Sequence, residues 1–418
     1  MGEGEKLDYT TVGADLNRRY IQFRAVLSTE NPLVSPVVRS ASLEATLEQR
    51  IPLHDNIHVV SVENAPIAYS SIPWEWESWD RPEFAELRES ENLDEVIADC
   101  RTQFAAQVKL MGYAMRRWYP GGHTVEYPGW DALSILRQID KTGGGGMCIQ
   151  YNLALGGLCQ AFGWHAKFIN CVGHEVIEVW NDDYGKWLFL DAEYFDNYNA
   201  DTETGEPLNM LEIHNRYLDY YFPDRPIDWM KDRIVWMPFS DGKEPPVLRG
   251  IRNRDASMLP ERFDGIVSGW ANAAFLRTVP RNNWFAKPTP RPLRHGMSWW
   301  PWDGYLNWYD QRTPRKRQYS WHTDRSRDMW PDLNKVYVDA TQGFGNDRLF
   351  LRFETYTPNF SHFEVNPDDT GWKKAGERWT WLLQSGKNSL QVRAVSKQGA
   401  RGKPSRMLVN FVDAPFAE

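Results

Sequence analysis

The spacing of hydrophobic positions changes character along this chain, and the changes outline its parts. Up to about residue 85, short alternating runs such as Asn56 to Val62 are bounded by Pro and Asn. They predict strands of a small N-terminal β-region, residues 1–85. From Leu93 to Trp118 the period becomes helical: Val96, Ile97, Cys100, Phe104, Val108, Met111 and Met115 fall near one face, until Tyr119-Pro-Gly-Gly122 breaks the pattern. Further helices are predicted from Trp130 to Ile139 and from Cys148 to Phe162, the last stopped by Gly163. Strand-like runs follow at Ala166–Val172, His174–Trp180 and Lys186–Leu190, and Leu208–Phe222 returns to a helical pattern. Helices first and antiparallel strands after predict an α+β domain over residues 86–225. Residues 226–335 are rich in Pro, Arg and Trp with little periodicity, and read as an irregular, aromatic-rich connecting region. Beyond Val336, alternating runs separated by turn residues predict a β-sandwich over 336–418.

Composition narrows the functional classes. A net charge of −8 argues against a nucleic-acid role, because phosphate binding needs a basic surface. The basic run Arg312 to Arg317 reads as a solvated loop. No stretch of 18 apolar residues predicts a membrane span. The polar start lacks an apolar signal segment, so the expectation is a cytoplasmic protein, or an exported one whose signal has been removed. Oligomeric state is not legible. The four cysteines, at 100, 148, 159 and 171, show neither a CxxC pair nor metal-ligand spacing, and no EF-hand loop or P-loop occurs. No metal and no cofactor is therefore expected. Cys159 and Cys171 read as buried small hydrophobes.

Candidate chemistry gathers in the α+β block. Cys148 closes a four-glycine run and opens a helix, whose N-terminus favours negative charge. His174 begins one strand-like run and Asp191 ends another. A thiol, an imidazole and a carboxylate at such positions are the parts of a triad: nucleophile, general base and orienting group. The expected thiol pKa lies below the free value.

These segments resemble the transglutaminase-like superfamily of papain-like cysteine enzymes. The resemblance rests on Gly-Met-Cys148-Ile-Gln-Tyr-Asn-Leu-Ala-Leu, Phe-Gly163-Trp-His-Ala166-Lys-Phe-Ile, His174-Glu-Val-Ile-Glu178-Val-Trp and Lys-Trp187-Leu-Phe-Leu-Asp191-Ala. It covers about residues 90–200. A looser likeness, carried by Thr357 to Glu364 and Ser385 to Val395, is to bacterial proteins that place such a domain before an Ig-like module. The resemblance implies Cys148, His174 and Asp191 as the catalytic residues, with the backbone N–H of Cys148 as one oxyanion donor. Trp130 is the candidate second donor, and a core role for it is equally open. Glu178 occupies a motif position that is either part of the cleft or a structural pair across strands. His123, and less so His165 and His214, are further cleft candidates.

The implied function is acyl chemistry on a peptide or protein amide through a Cys148 thioester, with hydrolysis favoured over cross-linking. Two other readings stay open. With 21 tryptophans, many in Pro-rich settings, aromatic loops containing Trp74, Trp76, Trp299, Trp300, Trp302 and Trp308 suit a polysaccharide. Arg291, Arg294 and Arg315 would then bind its acidic groups, in a polysaccharide lyase that needs no thiolate or in a glycan hydrolase using the same cleft. The other reading is a non-catalytic scaffold working through its β-sandwich.

Overall fold

The computed structural model describes residues 56–64, 67–118, 129–143, 146–171, 174–193, 197–201, 204–221, 248–252, 261–263, 273, 275–288, 306–310, 321–342 and 347–413. All lie in one compact unit, Ile51–Glu418. The architecture is mixed α+β. In chain order the elements begin with strand β1 (Ile57–Glu63). Helices α1 (Pro82–Ser90), α2 (Leu93–Val96), α3 (Gln103–Arg116), α4 (Ala132–Thr142) and α5 (Cys148–Gln160) follow. Strands β2 (Ala166–Asn170), β3 (Glu175–Asn181), β4 (Lys186–Leu190) and β5 (Asn197–Asp201) come next, then helix α6 (Met210–Tyr221). Short strands β6 (Leu248–Arg252), β7 (Glu261–Phe263), β8 (Arg277–Thr278), β9 (Leu306–Trp308) and β10 (Trp321–Thr323) precede a run of longer ones. These are β11 (Val336–Gln342), β12 (Arg348–Thr355), β13 (Phe360–Pro367), β14 (Lys373–Ala375), β15 (Arg378–Leu382), β16 (Gly386–Ser396) and β17 (Ser405–Phe411).

The pattern expected over 93–118 as one helix is two. Ile97 closes α2, and Thr102 starts α3 afresh, its hydroxyl accepting from the Ala105 N–H at 3.1 Å. Asp131 caps α4 in the same way, accepting from the Ser134 N–H at 2.8 Å. Helix α5 runs through the interior, with nearly every side chain buried, and packs on β2 and β3 on one side and on α3 and α4 on the other. Gly157 permits the α4 approach: a Cβ there would lie 2.3 Å from that of Ala132.

Strands β10-β9-β8-β2-β3-β4 form a six-stranded sheet behind α5. Residues 226–335 thus do more than connect, since β8 and β9 extend the sheet beyond β2. Strands of two or three residues carry no readable period. The sheet has two buried faces. Ile177, Val179 and Phe168 meet α5, whereas Val176, Trp180 and Ile169 meet a second cluster with α6 and Trp330. The C-terminal segment forms two sheets, β11-β12-β15 and β1-β17-β16-β13-β14, that share one core. The alternation read at 56–62 is a strand, but it pairs antiparallel with β17 and so belongs to this C-terminal layer. Residues 1–55 of the N-terminal β-region lie outside the described residues. Among the described residues no helix is long and apolar enough to cross a membrane.

Candidate active site

The N-terminus of α5 is built by its flanking residues. Gly146 adopts φ +81°, and Gln150 folds back over it, accepting from the Met147 N–H at 2.8 Å. A Cβ on Gly146 would come within 2.6 Å of the Gln150 side chain, so a larger residue would push the cap away. Cys148 therefore heads the helix, where the first N–H groups have no partner within the helix. Its side chain is buried, 7% exposed.

His174 precedes β3 and Asp191 follows β4, which are antiparallel neighbours, so the sheet brings the two together. His174 Nε2 lies 2.9 Å from Asp191 Oδ2, and both residues are buried. Asn152, one turn beyond Cys148, ties the parts: its amide nitrogen is 3.1 Å from Cys148 O, 2.8 Å from Glu175 O and 3.1 Å from Asp191 Oδ1. Its Oδ1 accepts from the Ala192 N–H at 2.9 Å. A contact residue at i+4 from the candidate nucleophile is the only trace Asn152 leaves in the sequence.

Two carboxylates complete the site. Glu175 Oε2 lies 2.6 Å from Cys148 Sγ, accepting the thiol proton, while its Oε1 accepts from Asn170 Nδ2. Glu193 Oε2 stands 3.4 Å from His174 Nδ1. A ligand atom from each of Cys148, His174 and Glu193 lies within 4.8 Å of the others. Both glutamates adjoin a candidate residue, Glu175 next to His174 and Glu193 two beyond Asp191. Neither was legible as part of the site.

Electrostatics here reverse an expectation. Burial pushes the Cys148 thiol well above its ordinary value, and the charges of Glu175 and Glu193 push it further. A thiolate waiting at neutral pH is therefore not the resting state. Burial opposes charge on His174, but Asp191, Glu193 and Glu175 outweigh it and hold its pKa above the usual imidazole value. Burial raises Glu175 as well, and carries Glu193 to about 7 against the pull of His174. Glu175→Gln, which keeps the shape and the Asn170 contact, is expected to lower the thiol pKa. Iodoacetamide labelling of Cys148 at pH 8 should then accelerate, about tenfold for each unit of pKa lost. An unchanged rate would show that burial alone sets the thiol.

The remaining candidates sit elsewhere. Glu178 lies on the sheet face away from α5, paired with Lys167 and accepting from the Met210 N–H at 2.7 Å and from Trp330 Nε1. It is a structural pair across strands, not a cleft residue. Trp130 is a core residue, packed edge-on against Phe168 and Trp284. Trp74 stacks on Trp76, which stacks on Trp187, and their indole N–H groups donate to Asp328 O, Tyr356 Oη and Pro331 O. Trp308 is buried against Trp330. These indoles bind the parts of the molecule together and offer no open stacking platform. His165 is enclosed by Trp76 and Trp79, burial drives its pKa down to about 3, and His214 is buried with Nδ1 2.6 Å from Ala273 O. His123, Trp299, Trp300, Trp302, Arg291, Arg294 and Arg315 lie outside the described residues. Cys159 and Cys171 are buried, and all four cysteines are free of disulfides.

No family model matches this sequence, and no curated protein matches it.

Proposed function

We propose that the protein is a transglutaminase-like cysteine enzyme of the papain-like class, with a C-terminal Ig-like module, that attacks an amide carbonyl through Cys148. The observation that carries this is the alignment of three groups. Asp191 engages His174 Nε2 at 2.9 Å, which leaves the other ring nitrogen, Nδ1, to the cluster in which ligand atoms of Cys148, His174 and Glu193 lie within 4.8 Å of one another. Asp191 thereby fixes the tautomer and orientation of the imidazole.

Because the thiol is held protonated, the proton moves as the bond forms. Sγ attacks the carbonyl carbon while neutral His174 accepts the thiol proton. The helix-leading N–H of Cys148 donates to the developing oxyanion. The tetrahedral adduct collapses with transfer of the proton from His174 to the leaving amine, and a thioester remains. Water then attacks the thioester with His174 again the base, releasing the acid and restoring the thiol. Hydrolysis is favoured over cross-linking because no residue described here marks a separate amine-acceptor site.

The test is the rate of Cys148 alkylation by iodoacetamide against pH, in wild type and His174→Ala, with the site assigned by mass spectrometry. Without the imidazole, the thiol faces Glu175 and Glu193 alone. Labelling in His174→Ala should fall about tenfold or more wherever the thiol is mainly protonated. Equal rates in the two proteins would disconnect His174 from Cys148 and sink the reading.

A further inference from the structure

We propose that the pocket at the head of α5 is also a binding site for a thiophilic divalent cation, zinc above all, held by Cys148 Sγ, His174 Nδ1 and Glu193 Oε2. The bound ion would act as an off-switch for the nucleophile; that regulatory half of the inference rests on the acyl reading above, whereas the site itself does not.

Geometry is the first support. The three ligand atoms lie within 4.8 Å of one another, and the His174–Glu193 pair is already at 3.4 Å. Tetrahedral zinc, with bonds of about 2.0–2.3 Å, sets its ligand atoms roughly 3.3–3.8 Å apart. Closing the cluster therefore needs a shift of about 1 Å. The Glu193 side chain is 25% exposed and has room to make it.

Donor chemistry is the second. A thiolate, an imidazole and one carboxylate are a zinc set, whereas magnesium and calcium call for oxygen alone. The surroundings also match what a metal-ligating histidine requires. Asp191 engages the Nε2 side of the ring, which orients Nδ1 and raises its basicity as a donor. Glu175, steadied by Asn170, lies 2.6 Å from Sγ and stands ready as a fourth ligand or as an acceptor for a zinc-bound water.

Charge balance is the third. Glu175, Asp191 and Glu193 converge on a single imidazole, with Arg277 one hydrogen bond further out, through Asn170. A divalent cation offsets that excess of negative charge and stabilises the thiolate by direct coordination. Once coordinated, Sγ shares its charge with the metal and is a much weaker nucleophile, and Nδ1, whose one lone pair the metal holds, cannot take a proton. Zinc binding and acylation therefore exclude one another.

The experiment uses the full chain, stripped with EDTA and desalted. Zinc affinity is measured by competition with a chromophoric chelator, and cobalt(II) is added separately to record its absorption spectrum. The proposal expects a site that takes cobalt with the intense visible bands of tetrahedral coordination and a near-ultraviolet thiolate-to-cobalt band. Cys148→Ala should abolish that band, and Glu193→Gln should weaken zinc binding by about 10–100-fold while leaving the melting temperature unchanged. It is overturned if the wild type binds no zinc, if both variants bind as the wild type does, or if the cobalt spectrum lacks the thiolate band. Alkylation of Cys148 in EDTA, compared between wild type and His174→Ala, judges the acyl reading separately, because no metal is present in that assay.

Discussion

Cys148→Ala is expected to abolish covalent acyl-enzyme and to cut turnover of a small activated ester or amide on the order of 10⁴-fold. The substitution removes only the sulfur from a side chain at the head of a buried helix. The Gln150 cap over Met147 and the Asn152 ties to Glu175 and Asp191 do not depend on it. Folding should survive, so lost activity reports lost chemistry. His174→Ala should cost a similar factor, since a thiol held protonated by burial and two glutamates cannot attack without a base. The double variant should be no worse than either single one, because groups that act as a unit do not add. The assay is a stopped mass spectrum of wild type and variants after mixing with a p-nitrophenyl ester, looking for a hydroxylamine-sensitive adduct on Cys148. Turnover that persists in Cys148→Ala would move the chemistry to another group. The glycan readings would then be taken up through the aromatic residues at 299–302.

The three candidate residues are legible in the chain because each carries a local signature: a cysteine after glycines, a histidine opening a strand, an aspartate closing one. The long strands and the amphipathic helices were legible for the same reason, as period is a local property. What escaped reading is what only the fold assembles. Glu175 and Glu193 reach the thiol and the imidazole because β3, the end of β4 and the head of α5 converge. No spacing rule joins residues 148 and 193. The electrostatic sign at Cys148 is hidden on the same account: a helix N-terminus alone argues for a lowered thiol pKa, but burial and two carboxylates outweigh it. The local pattern of β1 predicts a strand but not its layer, because its partner, β17, lies some 350 residues away. The number of tryptophans is plain in the sequence, but their partners are not. An indole in a Pro-rich loop serves a sugar or a neighbouring segment equally well on paper, and Trp74, Trp76 and Trp308 are spent on neighbours.

Glu178→Ala is expected to destabilise the protein by about 3–5 kcal/mol, more than any change at the triad. Glu178 and Lys167 are both fully buried, cross-strand partners on β3 and β2. Trp187 and Trp330 lie under the Lys167 ammonium, 4.7 and 5.1 Å from ring centre to Nζ. Glu178 also receives the Met210 N–H at the start of α6 and the Trp330 indole N–H, so one carboxylate joins two strands, a helix and a distant loop. Deleting it leaves three donors buried without their acceptor. Burial already drives Lys167 below the ordinary lysine range, and Glu178 is what opposes that. Alone, Lys167 must either keep an uncompensated charge or release its proton, and each course costs stability. The melting temperature should fall on the order of 10 °C, read by differential scanning fluorimetry. The double variant Lys167→Met with Glu178→Leu should recover much of that loss, because an apolar pair removes the stranded charge. A soluble Glu178→Ala protein melting with the wild type would mean that water reaches this face of the sheet. The sheet would then not owe its rigidity, or the placement of His174 at the start of β3, to the buried pair.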